Sequence, residues 1–182
     1  MTAVGRIELV DPAMVDAISG AMAPKFRPLP QVLRHTALRY PEAVALRRRH
    51  CHVLEGSLEV VEYLAETSSG PRFRPLLQIC SWVAVRDRLR EMLIEHLERY
   101  VAPERNALVF TDDHGGPVLR SWFEREQWWP ALRRAGLGDV SWGVDTLATA
   151  RLWEWQMQTQ RQRAELASGG HGDAAASGWR RP

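Results

Sequence analysis

Several kinds of residue are scarce in this chain of 182 residues, and each scarcity excludes a class of protein. Cysteine occurs only at Cys51 and Cys80, which are too few for the disulfide framework of a small secreted domain. No run of roughly 18 or more apolar residues occurs, so the sequence predicts no membrane-spanning helix. Charges at Arg6, Glu8 and Asp11 interrupt the N-terminal segment, which therefore does not resemble a secretory signal. We expect a soluble, cytoplasmic protein.

Lysine and asparagine are almost missing. Lys25 is the only lysine and Asn106 the only asparagine, and arginine supplies the other 23 of the 24 basic residues. This bias indicates a GC-rich gene rather than selection for guanidinium groups. The formal net charge of +2 is too small to indicate nucleic-acid binding by itself. A nucleic-acid function must therefore be argued from where particular charges lie.

Tyrosine is also scarce, with only Tyr40, Tyr63 and Tyr100, so that none occurs in the 82 residues that follow Tyr100. What is present is typical of a globular chain, because 45% of the residues are hydrophobic and 25% are charged. The length suits one domain followed by an irregular tail.

Periodic apolar residues predict that helices dominate this domain. Asp11 before Pro12 is a strong helix start and predicts a helix over residues 12–22. Apolar residues at intervals of three and four predict a second helix over residues 87–100. A third is predicted over residues 122–135, where Pro130 should cause a kink.

Other local signals refine this prediction. Ser121 should cap the third helix and form a capping box with Glu124, and Gly136 should end it. Pro41 should open a short helix through Leu46, which leaves Arg39 in the extended segment before it. Alternating residues predict one strand over residues 57–66.

Two segments resemble the catalytic domain of phage-integrase-type tyrosine recombinases. They are TALRYPEAVAL at residues 36–46 and ALVFTDDHGGPVLRS at residues 107–121. The resemblance implies an α+β fold, mainly helical with a small antiparallel sheet and incomplete, which the local signals independently permit. It also implies DNA integration or site-specific recombination, with double-stranded DNA as the partner and oligomers only on DNA. In this family a tyrosine attacks a DNA phosphodiester.

Arg39 is the candidate catalytic residue. It stands where the family's ALR-x-x-EA motif has its first arginine, and Glu42 and Ala43 match the residues that follow, while Pro41 replaces the usual glycine. A guanidinium fork can bind two oxygens of a phosphate at once and stabilise the charge of a pentacoordinate phosphorane. The alternative is a structural arginine that is paired with Glu42.

The family's other catalytic groups are not found. Residues 70–90, where the resemblance places a lysine, contain none, and SWGVDTLATA at residues 141–150 replaces the His-x-Leu-Arg-His motif. Tyr40 and Tyr63 lie in or near elements that have architectural roles in the family. We therefore predict a recombinase-like chain that does not cleave DNA. The alternative is a non-catalytic module that binds DNA or another partner and retains part of the fold.

The resemblance also suggests how the chain is organised. Residues 1–140 would form a partial catalytic domain, residues 141–167 a degenerate helical segment, and residues 168–182 a disordered tail. The arm-binding and core-binding domains of an integrase are expected to be absent. Local frameshifts in a GC-rich gene are one hypothesis for the foreign-looking segments between the matching blocks.

Three further arginines, Arg47, Arg48 and Arg120, are the predicted DNA contacts. The run at residues 47–49 can equally be a solvated helix end that favours positive charge. His50, Cys51 and His52 are not expected to bind a metal, because consecutive residues diverge on a strand and no further ligands have suitable spacing. We predict no metal site and no cofactor.

Overall fold

The computed structural model describes residues 10–76, 81–141 and 143–169. Predictions for the other positions, including Cys80 and residues 170–182 of the predicted disordered tail, lie outside the described residues. The α-helices described are α1 (Pro12–Gly20), α2 (Pro28–Thr36), α3 (Tyr40–Ala43), α4 (Asp87–Arg99), α5 (Arg120–Phe123), α6 (Trp129–Arg134) and α7 (Thr146–Gly169). The strands are β1 (Cys51–His52), β2 (Ser57–Val60), β3 (Glu62–Thr67), β4 (Gly70–Pro75) and β5 (Ser81–Ala84). The mainly helical α+β prediction is confirmed.

Helices α1 and α4 form where the periodicity predicts them. The Asp11 carboxylate accepts a hydrogen bond of 2.8 Å from the Ala13 amide, and Pro12 occupies the first helical position, where its missing N–H costs nothing. In α4, Leu89, Leu93 and Leu97 fall on one face and are buried. Both helices therefore follow from local signals alone.

The predicted strand over residues 57–66 is wrong in one respect, because it is two strands in two sheets. Strand β2 lies between β1 and β5 in a three-stranded antiparallel sheet, whereas β3 pairs only with β4. Val61 lies at the junction, and its carbonyl accepts a hydrogen bond of 2.9 Å from the Leu76 amide. Side-chain alternation continues through the junction, and it carries no information about which strand is the partner.

The predicted helix over residues 122–135 is also divided. It begins two residues earlier, at Arg120 with Leu119 as the N-cap, and no side chain caps it, so the predicted Ser121 capping box is wrong. A π-helical turn, Glu124–Trp128, separates α5 from α6. Pro130 lies just beyond this turn and has no N–H to donate, which is consistent with the predicted interruption. Gly136 follows α6 at φ +72°, as expected of a C-terminal glycine.

Helix α7 begins at Thr146, inside the predicted helical segment of residues 141–167, and ends at Gly169, two residues beyond it. Leu147, Ala148 and Ala150 in its first turns are buried, and a salt bridge of 2.6 Å from Arg34 to Glu154 joins it to α2. Most of the side chains described between residues 151 and 165 are exposed. Although α7 has 24 residues, neither it nor any other helix within the described residues is long and apolar enough to cross a membrane.

An aromatic cluster positions the segment before α3. Phe123 packs against Phe26 and Tyr40, with ring centroids 5.8 Å and 5.6 Å apart, and all three side chains are buried. Tyr40 is the first residue of α3, so the cluster fixes the start of that helix to α5. The residue immediately before it is Arg39, whose backbone is thereby held in place.

Ala37 ends α2 in the left-handed region, at φ +59° and ψ 16°, and its N–H donates to the Leu33 carbonyl. Among the described residues it is the only non-glycine with positive φ. A Cβ atom in this region costs about 1–2 kcal/mol, which exceeds the extra chain entropy that glycine loses on folding. We expect Ala37→Gly to raise the free energy of unfolding by roughly 0.5–1 kcal/mol in urea denaturation.

The matched control for this substitution is Ala17→Gly, in the exposed interior of α1. There the same chemical change should lower the free energy of unfolding by about 1 kcal/mol, because the backbone is right-handed. A loss of stability in both variants would show that Ala37 is not strained.

Candidate functional site

Arg39 lies where the sequence predicts, in extended backbone at φ −70° and ψ 152°, immediately before α3. The helix is shorter than predicted and ends at Ala43. Glu42 caps its start: one carboxylate oxygen accepts from the Arg39 amide at 2.9 Å, and the other accepts from Nε and Nη2 of the same residue at 2.9 Å and 2.7 Å. The structural alternative, a pair with Glu42, is therefore present in the geometry.

The Arg39 pair nevertheless leaves the guanidinium accessible. The Arg39 side chain is 70% exposed, whereas the Glu42 side chain is 13% exposed. The carboxylate is therefore largely covered by protein, and the guanidinium faces solvent. Exposed ion pairs of this kind contribute only about 0.2–1 kcal/mol. An anion that meets the guanidinium thus competes with a weak contact, and the Nη1 edge makes no hydrogen bond within the described residues.

Arg120, by contrast, lies among carboxylates. Its backbone N–H donates to Glu66 at 2.9 Å, and its guanidinium contacts Glu124 at 3.4 Å and forms a salt bridge with Asp145. The three carboxylates come from β3, the π-helical turn and the segment before α7. They bring the sheet hairpin, α5 and the start of α7 together. Local negative charge therefore exceeds positive charge around this predicted DNA contact.

The carboxylates around Arg120 are closely packed. A Cβ atom on Gly143 would lie 2.7 Å from a Glu124 oxygen, so a residue with a side chain would displace Glu124. One oxygen of Asp145 is buried and has no hydrogen-bond partner in the part of the chain that the structure describes. No local sequence pattern predicts this arrangement, because Glu66 and Asp145 are 54 and 25 residues away from Arg120 in the chain.

Tyr40 follows Arg39 in the chain, but its phenol points into the core. Its side chain is buried, and its hydroxyl donates to the Val118 carbonyl at 3.2 Å. Burial, followed by the negative charges of Glu66 and Glu124, raises the pKa of Tyr40 above the usual range of a phenol. This hydroxyl remains protonated and cannot reach a phosphate at the surface.

Arg47 is engaged with the sheet. It forms a salt bridge with Glu62 and donates to the Asn106 carbonyl at 2.9 Å. Its guanidinium also lies 4.7 Å from the ring centroid of Phe73, a favourable cation–π contact. The Arg47 side chain is 20% exposed.

Arg48 is engaged with the end of α4. Its Nε donates to the Ala102 carbonyl at 2.7 Å, and its Nη2 donates to the carbonyls of Val101, at 2.7 Å, and Leu97. Carbonyls at the end of a helix have no partners within the helix and need donors from elsewhere. Arg48 supplies such donors from a segment about 50 residues away. This one member of the run at residues 47–49 therefore has a structural role within the protein.

Arg48→Gln should lower the free energy of unfolding by about 2 kcal/mol, because carbonyls of Leu97, Val101 and Ala102 lose charged donors. Guanidinium chloride denaturation measures the change. The control is Arg105→Gln, which removes the same charge from an exposed side chain with no hydrogen bond within the described residues, and it should cost less than about 0.5 kcal/mol. Equal stability of the two variants would show that the Arg48 contacts contribute nothing to the fold.

The His50 and Cys51 side chains have separate hydrogen-bond partners, and the His52 ring packs against Trp82 with ring centroids 5.0 Å apart. Arg49 donates to Nε2 of His50 at 2.9 Å, and the Cys51 thiol donates to the Arg47 carbonyl at 3.5 Å. Burial raises the pKa of Cys51 to about 12, which disfavours the thiolate that binds metals. Within residues 10–76, 81–141 and 143–169, no three His, Cys, Asp or Glu side chains are grouped as metal ligands would be.

Comparison with known proteins identifies the fold. No protein-family model matches the sequence, and no curated protein matches it. Among solved structures, the Tn1549 transposon integrase in complex with a circular intermediate DNA superposes with a TM-score of 0.67 at 10% identity, over 82% of this chain and 53% of the other. XerA recombinase gives a TM-score of 0.59 at 15% identity, over 78% of this chain and 46% of the other.

The XerH site-specific recombinase bound to its difH substrate in a pre-cleavage complex gives a TM-score of 0.51 at 18% identity, over 82% of this chain and 43% of the other. This chain therefore spans about half the length of these structures. The shared fold is that of the tyrosine recombinase catalytic domain, which confirms the fold implied by the two motifs. At these identities the likeness establishes the fold alone.

Proposed function

We propose that this chain is a DNA-binding domain of the tyrosine recombinase type and that its 182 residues do not cleave DNA by themselves. The observation that carries the proposal is the recombinase fold, which covers 82% of the chain, with the motif arginine Arg39 exposed at the start of α3. The similar structures include an integrase and a recombinase that are bound to DNA. DNA integration or recombination is thus the ancestral activity that we infer.

Arg39 is the residue that we expect to hold a phosphate of the DNA backbone. Its planar fork matches two phosphate oxygens, and the bound carboxylate of Glu42 orients the guanidinium before DNA arrives. In a cleaving enzyme the same contact would strengthen as negative charge develops on the phosphorane. In this chain it supports binding only.

The covalent step needs a phenol beside the phosphate, and the three tyrosines of the chain are unsuitable. Tyr40 is buried against Val118, and Tyr63 is half-buried within β3. Tyr100 stacks on His96 at the end of α4, with ring centroids 5.5 Å apart. Lys25, the only lysine, forms a salt bridge of 2.6 Å with Asp113, so the general acid that the family supplies is also without an evident substitute.

DNA contacts by Arg47, Arg48 and Arg120 remain part of the proposal, but we expect them to be weaker than the Arg39 contact. Each of these arginines would have to leave a carboxylate or a backbone carbonyl in order to meet a phosphate. The carboxylates near Arg120 would also repel the DNA backbone. Arg39 should therefore dominate the electrostatic part of binding.

Fluorescence anisotropy with a labelled duplex, measured over a range of salt concentrations, tests this proposal. Arg39→Gln should weaken binding by roughly tenfold and reduce the slope of log K against log salt by about 0.9, because one phosphate contact is lost. The matched control is Arg99→Gln, which breaks a similar pair with Glu95 at a side chain that is 66% exposed. This variant should bind within roughly twofold of the unmodified chain.

Two results would contradict the proposal: no DNA binding at low salt by a chain that unfolds cooperatively, or equal losses in the Arg39 and Arg99 variants. The first result would favour the alternative, a module that binds a partner other than DNA. The second would show that binding depends on overall charge rather than on the motif arginine.

A further inference from the structure

We infer that the cavity between α1, α2, β5, α4 and α7 binds a nucleotide-like anion, in which a phosphate is linked through a sugar to a planar base. The cavity has a volume of about 740 Å³. This is within the range of roughly 300–1,000 Å³ that is typical of small-molecule sites. The inference does not depend on DNA binding through Arg39, which is not among the residues that line the cavity.

Positive charge exceeds negative charge in this cavity. Arg86, Arg88 and Arg151 line it, and Asp16 is the one carboxylate among the lining residues. Asp16 already accepts from Gln31 at 2.8 Å and from Arg88 at 2.7 Å, so it neutralises one of the three guanidiniums. The other two guanidiniums are not balanced by a carboxylate of the cavity lining.

Arg86 and Arg151 retain donors for a ligand. Arg86 is exposed at the N-cap of α4 and has no hydrogen bond or ion pair within the described residues. Arg151 lies 3.6 Å from one oxygen of Glu154, which is too far for a good hydrogen bond, while the other oxygen binds Arg34 at 2.6 Å. Guanidinium forks with vacant donors are suited to phosphate oxygens.

Besides the polar side chains of Gln31, His35 and Thr36, the cavity has apolar surface that includes an exposed indole. Leu89 and Met92 of α4 contribute apolar surface, and Leu152 and Trp155 of α7 also line the cavity. Trp155 is 60% exposed and Leu152 is 46% exposed, although both are large hydrophobic residues. A planar ring stacked on the indole would cover part of this surface, a contact that contributes about 1–3 kcal/mol for a nucleic-acid base.

A nucleotide satisfies both sets of groups at once. An inorganic anion would bind the guanidiniums and leave Trp155 uncovered, and a neutral aromatic molecule would leave Arg86 and Arg151 without acceptors. A phosphate joined to a base through a sugar supplies both contacts. Its source can be a free nucleotide or the 5′ end of a single strand, because the terminal unit is chemically the same.

Isothermal titration calorimetry of the full chain with adenosine 5′-monophosphate tests the inference. The monophosphate should bind at least roughly tenfold more tightly than adenosine or inorganic phosphate, because each of these lacks one set of contacts. A 5′-phosphorylated trinucleotide separates the two sources: binding as tight as that of the monophosphate indicates a strand end, and weaker binding indicates a free nucleotide.

Three variants and one control locate the ligand. Arg86→Gln, Arg151→Gln and Trp155→Ala should each weaken monophosphate binding by roughly tenfold. Arg86 has no internal partner, so its variant should retain the unfolding midpoint of the unmodified chain. The control is Arg133→Gln, which removes the same charge from the exposed face of α6 and should bind within roughly twofold.

The inference is overturned if inorganic phosphate binds as tightly as the monophosphate, since the ring would then contribute nothing. It is also overturned if Trp155→Ala binds normally, or if Arg133→Gln loses as much affinity as Arg86→Gln. Failure of these measurements leaves the Arg39 proposal unaffected, because DNA binding is measured with other variants.

Discussion

Glu154→Ala should lower the free energy of unfolding by about 3–5 kcal/mol, because it leaves the buried guanidinium of Arg34 without its carboxylate. The Arg34 side chain is 6% exposed and Glu154 is 16% exposed, so water replaces little of the lost contact. The other hydrogen bond of Arg34 is a long one, 3.3 Å from Nε to the Val10 carbonyl. Chemical denaturation of the full chain measures the loss.

Two variants serve as controls for this prediction. Glu98→Ala removes an exposed carboxylate from α4, and its effect should be within about 0.5 kcal/mol of zero. The double variant Arg34→Met with Glu154→Leu replaces the pair by apolar side chains and should recover most of the lost stability. A loss below about 1 kcal/mol in Glu154→Ala would mean that α7 is not docked on α2 in solution.

This first prediction also tests the division of the chain after residue 140. The sequence predicts that residues 141–167 form a degenerate helical segment outside the partial catalytic domain. A loss of several kcal/mol from a change at Glu154 would show that the start of α7 belongs to the same cooperative unit as α2. A small loss would keep the predicted boundary.

Tyr40→Ala should lower the free energy of unfolding by about 3–5 kcal/mol, because it empties the site between Phe123 and the backbone of Val118. Tyr40→Phe retains the ring and loses only the hydroxyl, so it should cost about 1 kcal/mol for the unpaired Val118 carbonyl. Thermal and urea unfolding of both variants measure these differences. A much larger loss in Tyr40→Ala than in Tyr40→Phe would show that the Tyr40 ring stabilises the core.

Tyr100→Ala is the control for the tyrosine substitutions. Tyr100 is 43% exposed, so its truncation should cost much less than that of Tyr40. Contrary results would be a Tyr40→Ala variant as stable as the unmodified chain, or a Tyr40→Phe variant that folds normally but loses a DNA-dependent activity. The first result would show that Tyr40 does not stabilise the core, and the second would make its hydroxyl a candidate nucleophile.

Local signals in the sequence predict much of the helical part of the fold. Asp11 and Pro12 fix the start of α1 through contacts within the first turn, and the spacing of Leu89, Leu93 and Leu97 fixes the buried face of α4. The switch of sheets at Val61 is not encoded in this way. It depends on the pairing of β2 with β5 and of β3 with β4, which alternation within residues 57–66 does not specify, so alternation alone predicts one strand instead of two.

The contacts of the candidate site are likewise of two kinds: local contacts, which the sequence predicts, and contacts between distant segments, which it does not. The contact between Arg39 and Glu42 spans three residues and can be expected from the motif and from helix capping. The partners of Arg120 and Arg48 come from segments that meet only in the folded chain, namely β3, the start of α7 and the end of α4. The sequence therefore predicts that Arg48 and Arg120 are free to contact DNA, whereas in the folded protein carboxylates and backbone carbonyls accept hydrogen bonds from them.

Trapping of covalent protein–DNA adducts decides whether this chain cleaves DNA. The substrates are nicked duplexes, made from sequences that the chain itself selects from a randomised pool, so that any cleavage loses a short fragment and cannot reverse. We expect DNA that is retained in salt-sensitive, non-covalent complexes and no adduct that survives denaturant. A denaturant-resistant adduct that maps to one of the three tyrosines would contradict it.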